Sequence, residues 1–500
     1  MGAGLLLAPL LAPLLAATVA AAAGWRRGTG LVGVAAAATI LLAGVGLAAR
    51  VMGSGPGAVV TAGMLRADPL AAVMLIVIGA VALLATWAGL DYLDGELAGG
   101  QTTPAGARRY AVLVSLFLAT MVLAVLADNL GVVWVSVEAT TVSTAFLVGH
   151  RRTRAAIEAS WKYVVVCSVG IGLAFLGTVL AYFASTRAGS PSGALDLSIL
   201  LARAPHLDPG VMRLAGGLLL LGFGTKVGLV PFHSWLADAH SQAPAPVSAL
   251  MSGVLLSVAF SVLLRVKQVL DLSLGAGFFR VGLLVMGLLT LAVAAFLLVG
   301  QRDYKRMLAY SSLEHMGLLA LAAAAGTRLA VAALLLHVLA HGLGKAVLFV
   351  TAGQLQHVTG STAIRDVTGL LSANPVLGLS LAGGLVALLG LPPFALFASE
   401  VGIVRGAAAA HLIWPTALAL VLVLVAFGAL ARHALAMLLG EPAPDPGASG
   451  AGPVGLAVAS GWAARLPMVL GLAACLALGI SAGPLTGLLH LAAAGLGAAS

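Results

Sequence analysis

Apolar segments of about 20 residues follow one another along almost the whole chain. A helix of that length crosses the hydrocarbon core of a bilayer, where the backbone must satisfy its own hydrogen bonds. Hydrophobic residues make up 61% of the sequence and charged residues 9%, whereas a soluble domain carries about 25% charged residues. The pattern therefore predicts an all-α polytopic membrane protein with about fourteen transmembrane helices.

The basic residues, which give the chain a formal charge of +9, stand singly between the apolar segments. There is no basic stripe with interleaved aromatic residues, so the charge indicates membrane topology and not nucleic-acid binding. The loops after odd-numbered segments hold slightly more Lys and Arg, which predicts that these loops are cytoplasmic. No basic residue precedes the first apolar run and Arg26 and Arg27 follow it, so we expect it to be retained as a helix.

The two cysteines, Cys167 and Cys475, both lie within apolar segments. They do not have the spacing of metal or iron–sulfur ligands, and the sequence has no phosphate-binding glycine loop. We therefore expect this chain to hold no cofactor and no metal of its own.

Proline interrupts two of the predicted spans, 214–238 and 375–403. The first break reads Gly-Leu-Val-Pro-Phe around Pro231, and the second reads Gly-Leu-Pro-Pro-Phe around Pro393. An acid, Asp238 or Glu400, follows each of these prolines by seven residues. Because proline removes a helical hydrogen bond, broken helices in lipid are expected to line polar cavities. Matching breaks in two halves indicate a transporter built from an inverted repeat, although proline is also common in membrane helices.

Several ionisable residues lie inside apolar segments, where each costs roughly 2.5–3.5 kcal/mol to insert. Glu138 lies at mid-span, and Lys226 precedes the break at Pro231 by about one turn. A carboxylate and an amine that pair and separate could load and release a proton. The alternative is a static ion pair that holds two helices together.

His337, His341 and Lys345 are four residues apart and therefore lie on one helix face. Two histidines at this spacing also suit zinc. No Glu follows His337, however, and the next group on that face is a cation, so a chain of protonatable groups is favoured. Two histidines that only satisfy core hydrogen bonds are the alternative. Glu314 and His315 could extend the chain sideways, although adjacent residues point in different directions.

Two sets of polar residues near span boundaries can be explained without a role in proton transfer. Glu158 and Lys162 form an i,i+4 pair that is either a relay or a surface ion pair. The cluster of Asp303, Lys305 and Arg306 is expected at the membrane interface, where its meaning would be mainly topological.

Three blocks of the sequence resemble the antiporter-like, proton-conducting subunits of respiratory complex I, Mrp cation/proton antiporters and group 4 membrane-bound hydrogenases: residues 224–244, 303–312 and 337–349. Three further stretches resemble the hydrogenase 4 component F branch of that family: residues 134–141, 158–170 and 311–317. The resemblance implies a fold of fourteen helices with two inverted five-helix repeats, each containing a broken helix. The expected division is N-terminal helices at 1–109, repeats at 110–270 and 271–440, and a C-terminal loop and helix at 441–500.

The resemblance also implies roles for residues at matching positions. Glu138 and Lys226 match the Glu–Lys pair of a first half-channel, and Glu400 matches the acid after the second break. The expected proton pathway comprises Glu138, Lys226, His233, Asp238, Glu314, His315, His337, His341, Lys345 and Glu400, with Glu158, Lys162 and Ser257 as candidate relays. Ser257 stands where many family members carry a central lysine. Because serine holds no charge at neutral pH, the middle of the pathway would depend on water or on neighbouring groups.

The function implied is a proton-translocating membrane subunit of a hydrogenase 4/formate hydrogenlyase-like or complex I-like oxidoreductase complex, in a bacterial inner membrane. The expected partners are other membrane subunits, the lipid bilayer, and peripheral iron–sulfur and nickel–iron hydrogenase-like subunits that carry the redox chemistry. Two alternatives stay open at this point. One is a subunit of an Mrp-type cation/proton antiporter, and the other is a structural anchor that does not pump, which Ser257 would favour.

Overall fold

The structure is a computed structural model that describes residues 2–55, 58–189, 192–440 and 462–499. Its one hairpin pairs β1 (Val60–Ala62) with β2 (Leu65–Ala67), among the residues described. The α-helices, in chain order, are α1 (Gly2–Ala23), α2 (Arg27–Ser54), α3 (Pro69–Ala98), α4 (Pro104–Leu126), α5 (Leu130–Val148), α6 (Arg154–Arg187), α7 (Leu197–Arg203), α8 (Pro209–Val227), α9 (Trp235–Gln242), α10 (Ala245–Leu250), α11 (Leu256–Leu274), α12 (Gly277–Val299), α13 (Tyr304–Ala325), α14 (Arg328–Thr359), α15 (Leu370–Ala373), α16 (Pro375–Leu388), α17 (Ala395–Ala409), α18 (Ile413–Leu438), α19 (Trp462–Ile480) and α20 (Gly483–Gly495). A π-helical turn, Met251–Leu255, joins α10 to α11. The all-α prediction is confirmed.

Many of the helices begin at a side chain that accepts a hydrogen bond from a backbone N–H of the first turn, which would otherwise lack a partner. These capping residues are Asp68, Thr103, Asn129, Thr153, Asp208, Asp303, Thr327 and Asn374. Four of them are followed directly by proline, which fits the first helical position because no N–H is needed there. Short polar residues in the sequence thus determine where these helices start.

Twelve helices in the described ranges are long and apolar enough to cross a bilayer, or 13 if one bent pair is counted as a span. The polytopic membrane character is therefore confirmed, while the count of fourteen and the inverted repeats stay predictions. The C-terminal helix predicted within 441–500 is not straight, because the chain bends by 77° between Arg465–Ile480 and Leu485–Gly495. Helix α19 ends at Ile480 and α20 begins at Gly483, so the bend falls between these two helices. The loop predicted at the start of the 441–500 segment lies mainly outside the described residues, and the division into repeats stays a prediction.

The helices differ sharply in how much of their surface the protein covers. The most apolar window of Ala245–Leu274 is 100% buried, as is that of Tyr304–Ala325, and the value for Arg328–Thr359 is 94%. The peripheral span Ile413–Leu438 is only 28% buried. The three inner spans carry most of the buried Ser, His, Lys and Glu side chains described below. Their polar groups are thus shielded from lipid by the outer helices.

Ion pairs join the turns at each end of the bundle. At one end, Arg27 pairs with Asp91 at 2.5 Å and with Asp94 at 2.7 Å, and Arg151 pairs with Glu96 at 2.9 Å. These contacts bring together the turns after α1, α3 and α5, which the charge pattern predicts to be cytoplasmic. We call this the α1–α2 end.

At the opposite end, Asp68 joins two distant parts of the chain. Its carboxylate accepts hydrogen bonds from Arg265 at 2.7 and 3.1 Å and from the backbone N–H of Ala71 at 2.9 Å. Burial raises the pKa of Asp68, but the guanidinium of Arg265 outweighs burial and holds the pKa below its ordinary value of 3.8. The pair is therefore charged at neutral pH, and its stabilising effect is lost only as the pH falls from the ordinary value of 3.8 through the lowered pKa of Asp68.

We expect Asp68→Ala to lower the free energy of unfolding by about 3 kcal/mol, because Arg265 would be left as a buried charge without its partner. The measurement is thermal unfolding of the purified chain in detergent. Asp208→Ala is the matched control, since Asp208 is an exposed cap of α8 and its loss should cost only about 1 kcal/mol. Equal destabilisation by the two variants would contradict the role given to the ion pair.

Candidate functional site

The first break comprises residues 228–234, between α8 and α9. Other parts of the protein supply hydrogen-bond partners near this interruption of the helix. Gly228 ends α8 with a φ of 86°, a left-handed conformation that side chains rarely adopt. The N–H of Val230 donates to Thr290 Oγ1 at 2.9 Å, and Trp235 Nε1 donates to the carbonyl of Thr225 at 2.9 Å. The interrupted helix is thus compensated inside the protein, as a break at membrane depth requires.

The second break, residues 389–394 between α16 and α17, is shaped around a carboxylate. Gly390 has a φ of 62°, and a Cβ built there would lie 2.3 Å from Glu400 Oε2. The side chain of Glu400 therefore returns from α17 to pack directly on the backbone of the break. Any larger residue at position 390 would displace this carboxylate.

Lys226 lies in the last turn of α8 and is fully buried. Its Nζ donates to Tyr163 Oη at 2.8 Å and to Thr141 Oγ1 at 3.0 Å, and Tyr163 Oη lies 2.7 Å from Thr144 Oγ1. The ammonium group is thus held by neutral hydroxyls from α5 and α6. Hydroxyls both donate and accept, so this shell can exchange protons with the amine.

Glu138 lies on α5, one turn before Thr141, and is partly buried. Ser168 Oγ donates to its Oε1 at 3.5 Å, while Oε2 is buried with no hydrogen-bond partner among the described residues. In that same part of the chain no ion pair joins Glu138 to Lys226. The static ion pair considered from the sequence is therefore not what holds these helices together.

Asp238 and the two candidate relays Glu158 and Lys162 lie together in an ion-pair cluster at the α1–α2 end. Asp238 pairs with Arg306 and, at 3.3 Å, with Lys162, which also pairs with Glu158 at 2.8 Å. The exposed fractions of the Lys162 and Glu158 side chains are 52% and 68%. The two acids that follow the breaks therefore have different surroundings: Glu400 packs on the second break, whereas Asp238 pairs with cations at the surface. His233 lies in the first break and is partly buried.

His240 is a buried titratable residue that the sequence analysis did not select. It follows Asp238 by two positions on α9 and so points to the opposite side of the helix. Its Nδ1 lies 2.8 Å from the carbonyl oxygen of Leu236, and its Nε2 has no partner in the described ranges. The ring lies 6.0 Å from that of Trp235 and 6.1 Å from that of Phe349 on α14. The only sequence signal was its place in the block at 224–244.

Lys305, from the cluster expected at the membrane interface, is buried inside the protein. Its Nζ donates to the carbonyl of Ala243 at 2.9 Å, whereas the neighbouring Arg306 faces Asp238. Consecutive residues on a helix point about 100° apart, so one faces the interior and the other the surface. The sequence alone could not tell which residue of the cluster faces inward.

Ser257 is buried, and its Oγ has no hydrogen-bond partner among the described residues. One turn earlier, Ser252 Oγ lies 2.7 Å from Ser312 Oγ, which joins the π-helical turn to α13. The neighbouring Ser311 accepts a hydrogen bond from Lys345. Hydroxyl groups and His240 therefore lie in the region where the sequence left a gap between Lys226 and the residues of α14.

Lys345 lies on α14 and is fully buried. Its Nζ donates to the carbonyl of Leu308 at 2.6 Å and to Ser311 Oγ. Glu314, on the next turn of α13, is also buried and lies close enough to Lys345 and Glu400 for electrostatic interaction. Both acids thus belong to the interior of the second half of the bundle.

Three histidines form a cluster between α13, α14 and α17. His315 Nδ1 lies 3.0 Å from His337 Nε2, and His337 Nδ1 lies 3.0 Å from Ser399 Oγ. The rings of His337 and His341 are 6.5 Å apart, but the ring of His315 lies 5.0 Å from the first and 4.9 Å from the second. His315 therefore bridges the two histidines of α14. His337 and His341 lie on one helix face with nearly parallel rings, as their spacing implies, and His315 adds a shorter link between them than their direct separation of 6.5 Å.

The same cluster contains groups that could bind a metal ion. His315, His337 and Glu400 each present a ligand atom, and these atoms all lie within 4.8 Å of one another. The zinc pattern considered from the sequence paired His337 with His341. Neither ring nitrogen of His341 has a hydrogen-bond partner among the described residues. The hydrogen bond between His315 and His337 is the arrangement that a proton relay needs, because one ring donates while the other accepts.

A bundle of apolar spans with two broken helices and a buried series of Lys, His and Glu defines a membrane protein of the ion- or proton-translocating class. The family described as NADH:quinone oxidoreductase/Mrp antiporter, TM, matches residues 127–427. The chain belongs to this family, which confirms the resemblance stated from the sequence.

Two curated relatives are a hydrogenase-4 component and a homolog of another such component. The chain is 39% identical over 355 residues to the hydrogenase-4 component F homolog of Methylacidiphilum infernorum (isolate V4), covering 71% of this chain and 74% of that protein. It is 30% identical over 384 residues to hydrogenase-4 component B of Escherichia coli (strain K12), covering 74% of this chain and 54% of that protein. This chain therefore spans about half of component B.

The fold is similar to a chain of the membrane-bound sulfane sulfur reductase, an archaeal respiratory membrane complex. The TM-score is 0.84 at 24% identity, and the similarity covers 99% of this chain and 97% of that chain. Similarity at this identity establishes the shared fold.

Proposed function

We propose that this chain is the proton-translocating membrane subunit of a hydrogenase 4/formate hydrogenlyase-like or complex I-like oxidoreductase complex. The observation that carries the proposal is the series of buried Lys, Glu and His side chains from Lys226 to Lys345, which leads to the partly buried Glu400, in a chain of the NADH:quinone oxidoreductase/Mrp antiporter family. Such residues are costly in a bilayer, so the presence of Glu314, the three histidines and Lys345 in two of the best-shielded helices supports a proton pathway.

The proposed path begins with Glu138 and Lys226. The hydroxyls of Tyr163 and Thr141 bind the amine, and the free Oε2 of Glu138 is available to receive a proton. In this conformation the carboxylate and the amine are separate. Their approach and separation would change how tightly each holds its proton, which is the step a pump must control.

The proposed middle section uses His240 and the serine hydroxyls in place of the missing central lysine. The unpartnered Nε2 of His240, between Trp235 and Phe349, offers a site for a proton on the way to α14. The hydrogen bond between Ser252 and Ser312 offers a second route toward Lys345. These groups favour a working pathway over the structural anchor that Ser257 suggested.

The proposed last section runs from Lys345 through the histidine cluster to Glu400. His315 connects His341 with His337, and the carboxylate of Glu400 lies beside His315 and His337 at the second break. Histidine exchanges protons readily near neutral pH, and a carboxylate can accept the proton that leaves the cluster.

Redox energy would come from partner subunits, which we propose to be iron–sulfur and nickel–iron hydrogenase-like proteins on the cytoplasmic face of a bacterial inner membrane. Affinity purification of the tagged chain in mild detergent, followed by mass spectrometry, tests this. We expect a nickel–iron-type large subunit and iron–sulfur proteins to copurify in fixed stoichiometry. Recovery of small membrane proteins alone, with sodium-dependent pH changes in vesicles, would instead establish an Mrp-type antiporter.

A further inference from the structure

A cavity of about 420 Å³ opens at the α1–α2 end, between the start of α4, the end of α5 and the start of α6. Its lining includes Arg109, Arg151 and Arg152 together with the apolar side chains of Phe146 and Trp161. We call it the Arg109–Arg152 cavity. It lies where α5 ends at Val148 and α6 begins at Arg154, at the level where a span leaves the hydrocarbon. None of these residues belongs to the proposed proton pathway.

The arginines of the cavity divide into one that is neutralised and two that are not. Arg151 donates to the buried carboxylate of Glu96 at 2.9 Å and to Tyr92 Oη at 2.8 Å. Arg109 and Arg152 are exposed and form no ion pair with any described residue. Two positive charges therefore remain at the rim of the cavity.

The acidic residues near the cavity do not cancel this charge. Glu96 is bound by Arg151 and approached by His150 at 3.3 Å, and Glu158 on α6 is paired with Lys162 at 2.8 Å. The first turns of α4 and α6, capped by Thr103 and Thr153, also begin beside the cavity. Their free N–H groups add partial positive charge to that of the arginines.

An apolar surface continues from the cavity along the membrane-facing side of α5 and α6. Phe146 is 61% exposed, Ile157 46% and Trp161 66%, and all three also line the cavity. Tryptophan is typical of the headgroup level of a membrane. The site thus combines a cationic recess with an apolar track, which matches a phosphate group attached to acyl chains.

We propose that the Arg109–Arg152 cavity binds the headgroup phosphate of an anionic phospholipid from the leaflet at the α1–α2 end, with the acyl chains on Phe146, Ile157 and Trp161. Basic recesses between transmembrane helices on the cytoplasmic side are suited to anionic headgroups. The recess selects by charge, so a zwitterionic lipid of the same chain length should bind less tightly.

The test is native mass spectrometry of the full chain, delipidated in detergent and titrated with dioleoyl phosphatidylglycerol or dioleoyl phosphatidylcholine. We expect phosphatidylglycerol to bind preferentially, and the double variant Arg109→Gln/Arg152→Gln to weaken that binding about 30-fold. The matched control is Arg26→Gln/Arg302→Gln, which removes two exposed arginines outside the cavity and should leave the affinity unchanged. Equal thermal unfolding of both double variants would show that the fold is intact.

Four results would overturn the proposal. The first is unchanged phosphatidylglycerol binding in Arg109→Gln/Arg152→Gln, and the second is equal binding of the two lipids by the parent chain. The third is displacement of the lipid by 10 mM inorganic phosphate, which would show that the cavity binds a free anion and not a lipid. Loss of lipid binding only when the chain is measured inside its intact complex would assign it to a neighbouring subunit.

Discussion

Replacing Lys226 with methionine is expected to abolish redox-driven proton uptake while the complex still assembles. Methionine fills a similar volume but cannot carry a proton, and the hydroxyls of Tyr163 and Thr141 would lose the amine that they bind. A positioned proton-transfer group contributes at least about 100-fold to the rate of its step, so uptake should fall to the background leak. The measurement is fluorescence quenching of a pH-sensitive dye in vesicles that contain the purified complex.

The matched control is Lys267→Met. Lys267 is paired with Asp271 on α11, outside the proposed pathway, and its replacement should leave proton uptake unchanged. Tyr163→Phe is a second variant that keeps the amine and removes one of its acceptors, and it should give an intermediate rate. Full pumping by Lys226→Met in an assembled complex would refute the assignment of Lys226 to the pathway.

Replacing His315 with leucine is expected to reduce proton uptake by at least about 100-fold for the same reason. His315 is the ring that lies between His337 and His341, which are 6.5 Å apart. Without it, the proton has no side chain to carry it between the two histidines of α14. The measurement is the same vesicle assay, normalised to the amount of assembled complex.

His315→Gln separates the two roles of this side chain, because an amide can donate and accept hydrogen bonds but cannot hold an extra proton. We expect this variant to assemble normally and to pump as poorly as the leucine variant. His206→Leu, at an exposed histidine between α7 and α8, should have no effect. Normal pumping by His315→Gln would show that hydrogen bonding alone suffices at this position.

Much of the architecture could be predicted from the sequence because the thickness of the bilayer sets the length of a membrane-spanning helix. A helix in lipid needs about 20 apolar residues, so the long spans stand out, and prolines mark the breaks between α8 and α9 and between α16 and α17. The bend between α19 and α20 was missed, since the apolar run continues through it and only Gly483-Pro484 marks it.

The side of a helix that faces the interior is harder to predict. Asp238 and His240 are two residues apart, yet one pairs with surface cations and the other is fully buried. Lys305 and Arg306 are adjacent, yet one faces the interior and the other faces Asp238 near the surface. An inner helix is apolar on all sides, so it lacks the amphipathic pattern that would reveal its orientation.

The sequence by itself determined that the chain is a helical membrane protein, where two of its helices break at proline, and which costly residues lie within its spans. The tertiary structure alone decided which of those residues meet. In the folded chain, His315 of α13 lies between two histidines of α14, and Glu400 packs on Gly390. Asp238 belongs instead to an ion-pair cluster with Lys162 and Arg306. The physical reason is that the cost of placing a charged residue in lipid depends on the composition of its own segment, which the sequence gives directly. Proton transfer depends instead on distances between side chains of different helices, and only the packing of the helices sets these distances.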